Sequence, residues 1–177
     1  NWATWLFRDL TQERLDGRHP FGNEKVVYGG SADDAALNAG VARYRADPLA
    51  VGRLMVDSTP TGRLAMPVLT LHAIHAPTAF VELESAYREI VDRAGSGDRL
   101  VQTFSDDAEH SYLSEPQYPA VFTALMDWVD KGEKPTPEKV ARLCKGYERD
   151  YGHGGKQTCR IQVGYQPPPL SSRVPPR

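Results

Sequence analysis

Between Met66 and Ser105 the chain alternates apolar extended segments with one helical stripe, and that alternation leaves few folds open. MPVLTLHAI is a continuous apolar run with β-branched residues, the pattern of a strand buried on both faces. A helix from about Ala79 to Ala94 follows, with Phe80, Leu83, Tyr87, Ile90 and Ala94 forming a single stripe. GSGD makes a turn, and RLVQTFS reads as a second strand. Strand, helix, strand with short connections is a crossover unit, so the two strands are expected to pair in parallel. Two strands alone cannot form an open α/β sheet that buries both faces. Residues 66–131 therefore read as the edge of a larger sheet whose remainder lies outside this chain.

After the loop DDAEHSYLSE, a helix around Pro119–Asp130 places Tyr118, Val121, Phe122, Leu125, Trp128 and Val129 on one face. Thr136, Pro137 and Glu138 supply an N-cap, a first-turn proline and an early acid for a last helix through Cys144. The tail QPPPLSSRVPPR is expected to be extended and poorly ordered at its end. The first sixty residues are mostly helical in pattern. Trp2, Trp5, Leu6, Phe7 and Leu10 have helical spacing, and NEKVVYGGS looks extended. Ser31 is the expected N-cap of a helix through DDAALNAGVARYRAD with Leu37, Val41 and Tyr44 on one face. Asp47-Pro48 breaks it before a short helix from Pro48 to Met55.

Composition narrows the function classes. With 177 residues, 40% hydrophobic and 25% charged, the chain has the balance of one ordinary globular domain. A net charge of -2 gives no reason to expect nucleic acid or an anionic membrane surface as a partner, and no apolar run is long enough for a transmembrane helix. The first residue is Asn1 rather than Met, which creates the expectation of an upstream segment. Two cysteines, Cys144 and Cys159, flank the polar, glycine-rich KGYERDYGHGGKQT. A disulfide there would stabilise by roughly 3 kcal/mol and imply an exported protein, secreted or periplasmic. Free thiols, with a cytoplasmic location, are the alternative. The spacing suits neither a zinc nor a redox CxxC site.

The order of these pieces carries a resemblance. A strand ending PVLTLH, a loop, a helix, the strand LVQTF, a loop with a lone histidine in EHS, and an amphipathic helix ending in Trp128-Val129-Asp130 together resemble the last two strands of the α/β-hydrolase fold. The likeness covers roughly residues 60–131. It implies a C-terminal part of a hydrolase core over residues 61–145, preceded by a helical cap-like segment (1–60) and followed by a Gly/Pro-rich extension (146–177). In that fold the triad acid follows the first of these strands and the histidine follows the second. The resemblance therefore places His110 as the catalytic histidine. It places Ala76, in LHAIHAPTAF, where the triad acid should stand. An alanine can neither orient an imidazole nor offset its charge, and loss of the acid in such triads costs about 10⁴ in turnover.

Ala76 leaves three readings open: an engineered Asp→Ala inactivation, a natural loss, or substitution by another acid. Candidates for the last are Glu82, Asp106, Asp107 and Glu109. The three beside His110 read as solvated loop charges, and Glu82 as a partner of its helix dipole. His72, at the end of a buried strand, reads as a hydrogen-bonded core histidine. Neither it nor His75 has spaced acidic or thiol partners, so no metal is expected. No cofactor is implied.

The nucleophile is not in these residues. No G-x-S-x-G occurs, and Ser31 and Ser96 lack the strand-turn-helix context. GHGGK around His153 lacks the phosphate-loop spacing. The expectation is a fragment or subunit of a serine hydrolase, esterase- or peptidase-like. It would cleave ester, thioester or amide bonds once an N-terminal half carrying the serine completes it, and be inactive alone. Trp2, Trp5 and Tyr44 are candidates for the lining of the acyl pocket. The competing expectation is a non-catalytic α/β binding module that kept the scaffold and lost the acid.

Overall fold

The structure, a computed structural model, describes residues 2–174. The chain divides into two compact units, Asn1–Thr59 and Pro60–Arg177.

In the first unit, helix α1 (Trp2–Arg8) runs on into a wider π-helical turn (Asp9–Arg14). Helices α2 (Asp34–Gly40) and α3 (Pro48–Ser58) follow. The cap of α2 is Asp33, which accepts from the Ala36 N–H at 2.9 Å, and not Ser31. Ser31 instead donates its hydroxyl to Asp34 Oδ1 at 2.6 Å. The helix expected to continue to Asp47 stops at Gly40, and Val41 turns into extended backbone. Glycine is a poor helix former, and a competing set of bonds takes over beyond it. The Arg43 guanidinium donates to the carbonyls of Asn23 (2.9 Å), Val26 (2.6 Å) and Asn38 (3.1 Å). These bonds require an extended chain from Val41 to Arg45. Asp47 then caps α3 by accepting from the Leu49 and Ala50 N–H groups, with Pro48 in the first turn.

The second unit is a small α/β arrangement. Strands β1 (Val68–Ala73) and β2 (Leu100–Ser105) pair in parallel, with Val68 opposite Leu100 and Ala73 opposite Ser105. Helix α4 (Glu82–Arg93) makes the crossover, and α5 (Gln117–Lys131) and α6 (Pro137–Tyr151) follow. Alternate residues of a strand face opposite sides, and here the two sides differ in chemistry. Leu69 packs with Val121, Leu143 and Tyr147 on the α5–α6 core of Ala120, Ala124, Val140 and Cys144. Thr70 and its register partner Gln102 face α4, where both bond Glu84 Oε2, at 3.0 and 2.6 Å. Arg88 of α4 reaches the Gln102 amide oxygen at 3.2 Å and the Leu100 carbonyl at 3.1 Å.

β1 departs from expectation. Its residues Val68–His72 are half-buried rather than buried on both faces, whereas β2 is buried along nearly its whole length. The reason is position. β2 has β1 on one side, and on the other a short antiparallel bridge between Ser105 and Ile161, closed by Gln162 N–H to Phe104 O (2.8 Å) and Asp106 N–H to Arg160 O (2.9 Å). β1 has no second strand neighbour among the described residues. Leu69 and Leu71, whose main-chain groups alternate away from β2, lie on that open edge.

A disulfide joins Cys144 to Cys159, with Cα atoms 5.5 Å apart. It pins the segment that bridges β2 to the buried face of α6. The tail is more structured than expected up to Val174. Leu170–Ser172 forms a 3₁₀ turn, and Arg173 pairs with Glu82 at 3.1 Å while lying over the Phe80 ring. The expected disorder at the very end of the tail falls on residues 175–177, outside the described residues.

Candidate active site

The carboxyl ends of the two parallel strands release two loops side by side. The Ile74 N–H donates to the Ser105 carbonyl (2.8 Å) and the His75 N–H to the Asp107 carbonyl (3.2 Å), so the pairing of the strands extends into the loops. His75 Nε2 and Asp106 Oδ1 meet at 3.1 Å, both largely exposed. This is the sheet edge at which ligands bind in open α/β folds.

His110 sits in a bend between Asp107 and Ser114, exposed, with no hydrogen-bond partner among the described residues. Ala76 lies half-buried in the turn after β1, where its N–H donates to the Ala73 carbonyl at 3.3 Å. The structure thus places both sequence candidates on loops at one edge. It gives His110 no carboxylate partner among the described residues.

Of the four substitute acids, Asp106 and Glu109 are exposed loop charges, as their setting suggested. Asp107 is not. It is 3% exposed and sits under the loop. Its Oδ2 accepts from the Ser105 hydroxyl, the Gln117 amide (2.8 Å) and the Ser114 N–H (3.4 Å), and its Oδ1 from Arg160 at 3.0 Å. The run DDAEHS carries no mark separating the buried acid from the exposed ones. Burial is decided by Arg160, more than fifty residues downstream, and by the first residue of α5. Glu82 is also buried. A hydrogen bond from its own main-chain N–H, then the Arg173 pairing, hold its carboxyl below the ordinary glutamate range. Its Oε2 is buried with no hydrogen-bond partner among the described residues.

The remaining candidates are placed as follows. His72 is half-buried with Nδ1 2.8 Å from the Ala73 carbonyl. His153 Nε2 meets Glu115 Oε2 at 2.7 Å, on a residue with positive φ (47°). Trp2, Trp5 and Tyr44 all belong to the first unit and are exposed, Tyr44 stacking on His19. Among the described residues no group of three or more His, Cys, Asp or Glu could hold a metal ion, and no helix is long and apolar enough to cross a membrane. A cavity of about 680 Å³ in the second unit is lined by Arg88, Gln102, Phe104, Thr136 and Tyr165, among others. Neither His110 nor Ala76 lines it, so it is separate from the strand-end loops.

Comparison with known protein families, curated proteins and solved structures finds no match for this chain.

Proposed function

We propose that this chain is the C-terminal part of a serine α/β-hydrolase core and supplies the histidine that acts as general base. The observation that carries the reading is the pair of loops at the carboxyl edge of the β1–β2 unit, one bearing Ala76 and the other an exposed His110. An exposed imidazole at that edge has room to accept the proton of an incoming serine hydroxyl as it attacks an ester, thioester or amide carbonyl. It then returns that proton to the leaving alcohol, thiol or amine. The unpaired edge of β1 at Leu69 and Leu71 supports a sheet that continues into a nucleophile-bearing N-terminal part. The disulfide supports an exported location, secreted or periplasmic.

Ala76 favours one alternative, a non-catalytic binding module on the same scaffold. The experiment that separates them joins the chain to the segment carrying a G-x-S-x-G serine and measures hydrolysis of a p-nitrophenyl ester. On the hydrolase reading, Ala76→Asp raises turnover by up to about 10⁴, and His110→Ala in that background removes the gain. If no serine-bearing partner accompanies the chain and Ala76→Asp changes nothing, the hydrolase reading fails and the binding module stands.

A further inference from the structure

The most heavily bonded buried acid in the second unit is one that the proposed chemistry does not use. Asp107 lies three residues before His110 and collects donors from four separate places. These are the last residue of β2 (Ser105 Oγ), the far end of the histidine loop (Ser114 N–H), the first residue of α5 (Gln117 Nε2) and the bridging segment (Arg160). We propose that Asp107 is the positioning residue of the His110 loop. The inference rests on the reading of His110 as the working base.

The geometry is that of a clamp. Residues 107 and 114 converge on one carboxylate, and His110 is carried on the chain between them. Tyr118 of α5 braces the far limb, accepting from the Leu113 N–H at 3.0 Å and donating to the Ser111 carbonyl at 2.9 Å. Arg160 is itself fixed, because its carbonyl accepts from the Asp106 N–H and its neighbour Cys159 is bonded to α6. Ser114 adds a second tie, donating its hydroxyl to the Thr158 carbonyl. The histidine loop is thus tethered to the segment stapled by the disulfide.

Charge and burial make the clamp specific. Every partner of Asp107 is a donor, and one is a guanidinium, so an ionised carboxylate satisfies them all. An asparagine removes the charge opposite Arg160 and turns an NH₂ group toward either that guanidinium or the Ser114 N–H, two groups that can only donate. With both oxygens engaged beneath the loop, Asp107 holds the chain that carries the imidazole. A base displaced by about half an ångström from productive geometry loses efficiency, which is what a positioning residue prevents.

The test uses the ¹⁵N-labelled 177-residue chain and two variants, Asp107→Asn and Arg160→Gln, with NMR of the imidazole rings and amide hydrogen exchange. The expected result is that ring signals of His110 shift and broaden, and that amides of residues 108–114 exchange about tenfold faster or more. His19, in the first unit, should not move. Once the chain is completed with its serine-bearing part and carries Ala76→Asp, turnover should fall about 10–100-fold in the Asp107→Asn or Arg160→Gln variant with KM unchanged. If Asp107→Asn folds and the His110 signals and loop amides stay as they were, the inference is overturned. If Asp107→Asn does not fold, Arg160→Gln decides alone by the same two readings. Failure of the hydrolase reading shows differently. There the completed chain with Ala76→Asp shows no turnover that His110→Ala removes, while the ring and exchange data still report on the clamp.

Discussion

The two compact units of this chain are held by different means. In residues 60–174 the order comes from burial. Leu100, Val91, Val140 and Cys144 are at or near zero exposure, and helices cover both faces of the parallel pair. In residues 2–59 the buried apolar side chains among the described residues are Leu15, Pro20 and Ala50, while Trp2, Trp5, Phe7, Val27 and Val56 are exposed. What orders that unit is side chains bonding to the backbone. Arg43 ties three carbonyls together, Asn38 bonds the main chain of Tyr28 in both directions, and Asn23 clasps Ala42 and Tyr44. The difference teaches where each unit is vulnerable. A buried apolar contact resists water and salt, whereas exposed polar clasps gain little net free energy over bonds to water.

Truncating the core should break the comparison most strongly if it is wrong. Leu100, 2% exposed at the start of β2, has no room to be replaced from solvent. Leu100→Ala is expected to destabilise the second unit by about 2–5 kcal/mol, read as a lower thermal midpoint and faster amide exchange in β2, α4, α5 and α6. Amide protection around Arg43 and Asn38 should change far less. An equal response in both units would mean that they share one cooperative core, and the contrast would fall. Next in size is the disulfide. Replacing Cys144 and Cys159 by serine is expected to cost roughly 3 kcal/mol, again in the second unit only. A free-thiol assay under denaturing conditions on the unmodified chain should find no reactive thiol. Two reactive thiols would remove both this prediction and the argument for an exported location.

The same contrast explains which parts were legible from the residues alone. The strand at Val68–Ala73 and the Thr136-Pro137 start of α6 are readable because burial and capping leave local marks on sequence. The crossover helix is readable too, but not its buried face: Phe80 and Leu83 of the expected stripe are exposed, and α4 buries Glu82 and Val91 instead. The disulfide was readable from its spacing and from the glycine-rich segment it closes. In the first unit the helix expected through Asp47 failed at Gly40, because the competing bonds come from Arg43 to carbonyls some twenty residues earlier, and such pairings leave no period. The candidate site divides in the same way. The position of His110 after a strand is local and readable. The burial of Asp107 is set by Gln117 and Arg160 and is not. β1 is half-buried where its apolar run predicts full burial, for a related reason. An apolar run states what a strand would pack against, and the neighbour it needs is absent from the described residues.

The smallest expected effect probes the polar unit directly. Asp47 accepts from the Ala50 and Leu49 N–H groups and pairs with Arg18, and the Ala50 bond is the leading cause that holds its carboxyl below the ordinary aspartate value. Asp34 is lowered in the same direction, chiefly by the Ser31 hydroxyl. A folded-state value below the unfolded one means that the contribution is present above the unfolded value, near pH 4. It is lost as pH falls through the lowered folded value. Asp34 is exposed and Asp47 only half-buried, so the effect is small and screened by salt. Acid titration followed by amide exchange should therefore loosen the Gly30–Ser31 turn that Asp34 holds and the first turn of α3 below about pH 4. Asp47→Asn should blunt the change in α3, because the amide oxygen still caps the helix at any pH while its charge is gone. If the Leu49 and Ala50 amides respond identically in Asp47→Asn and in the unmodified chain, the cap is not the titrating element. The first unit would then owe its order to contacts other than the polar clasps assigned to it.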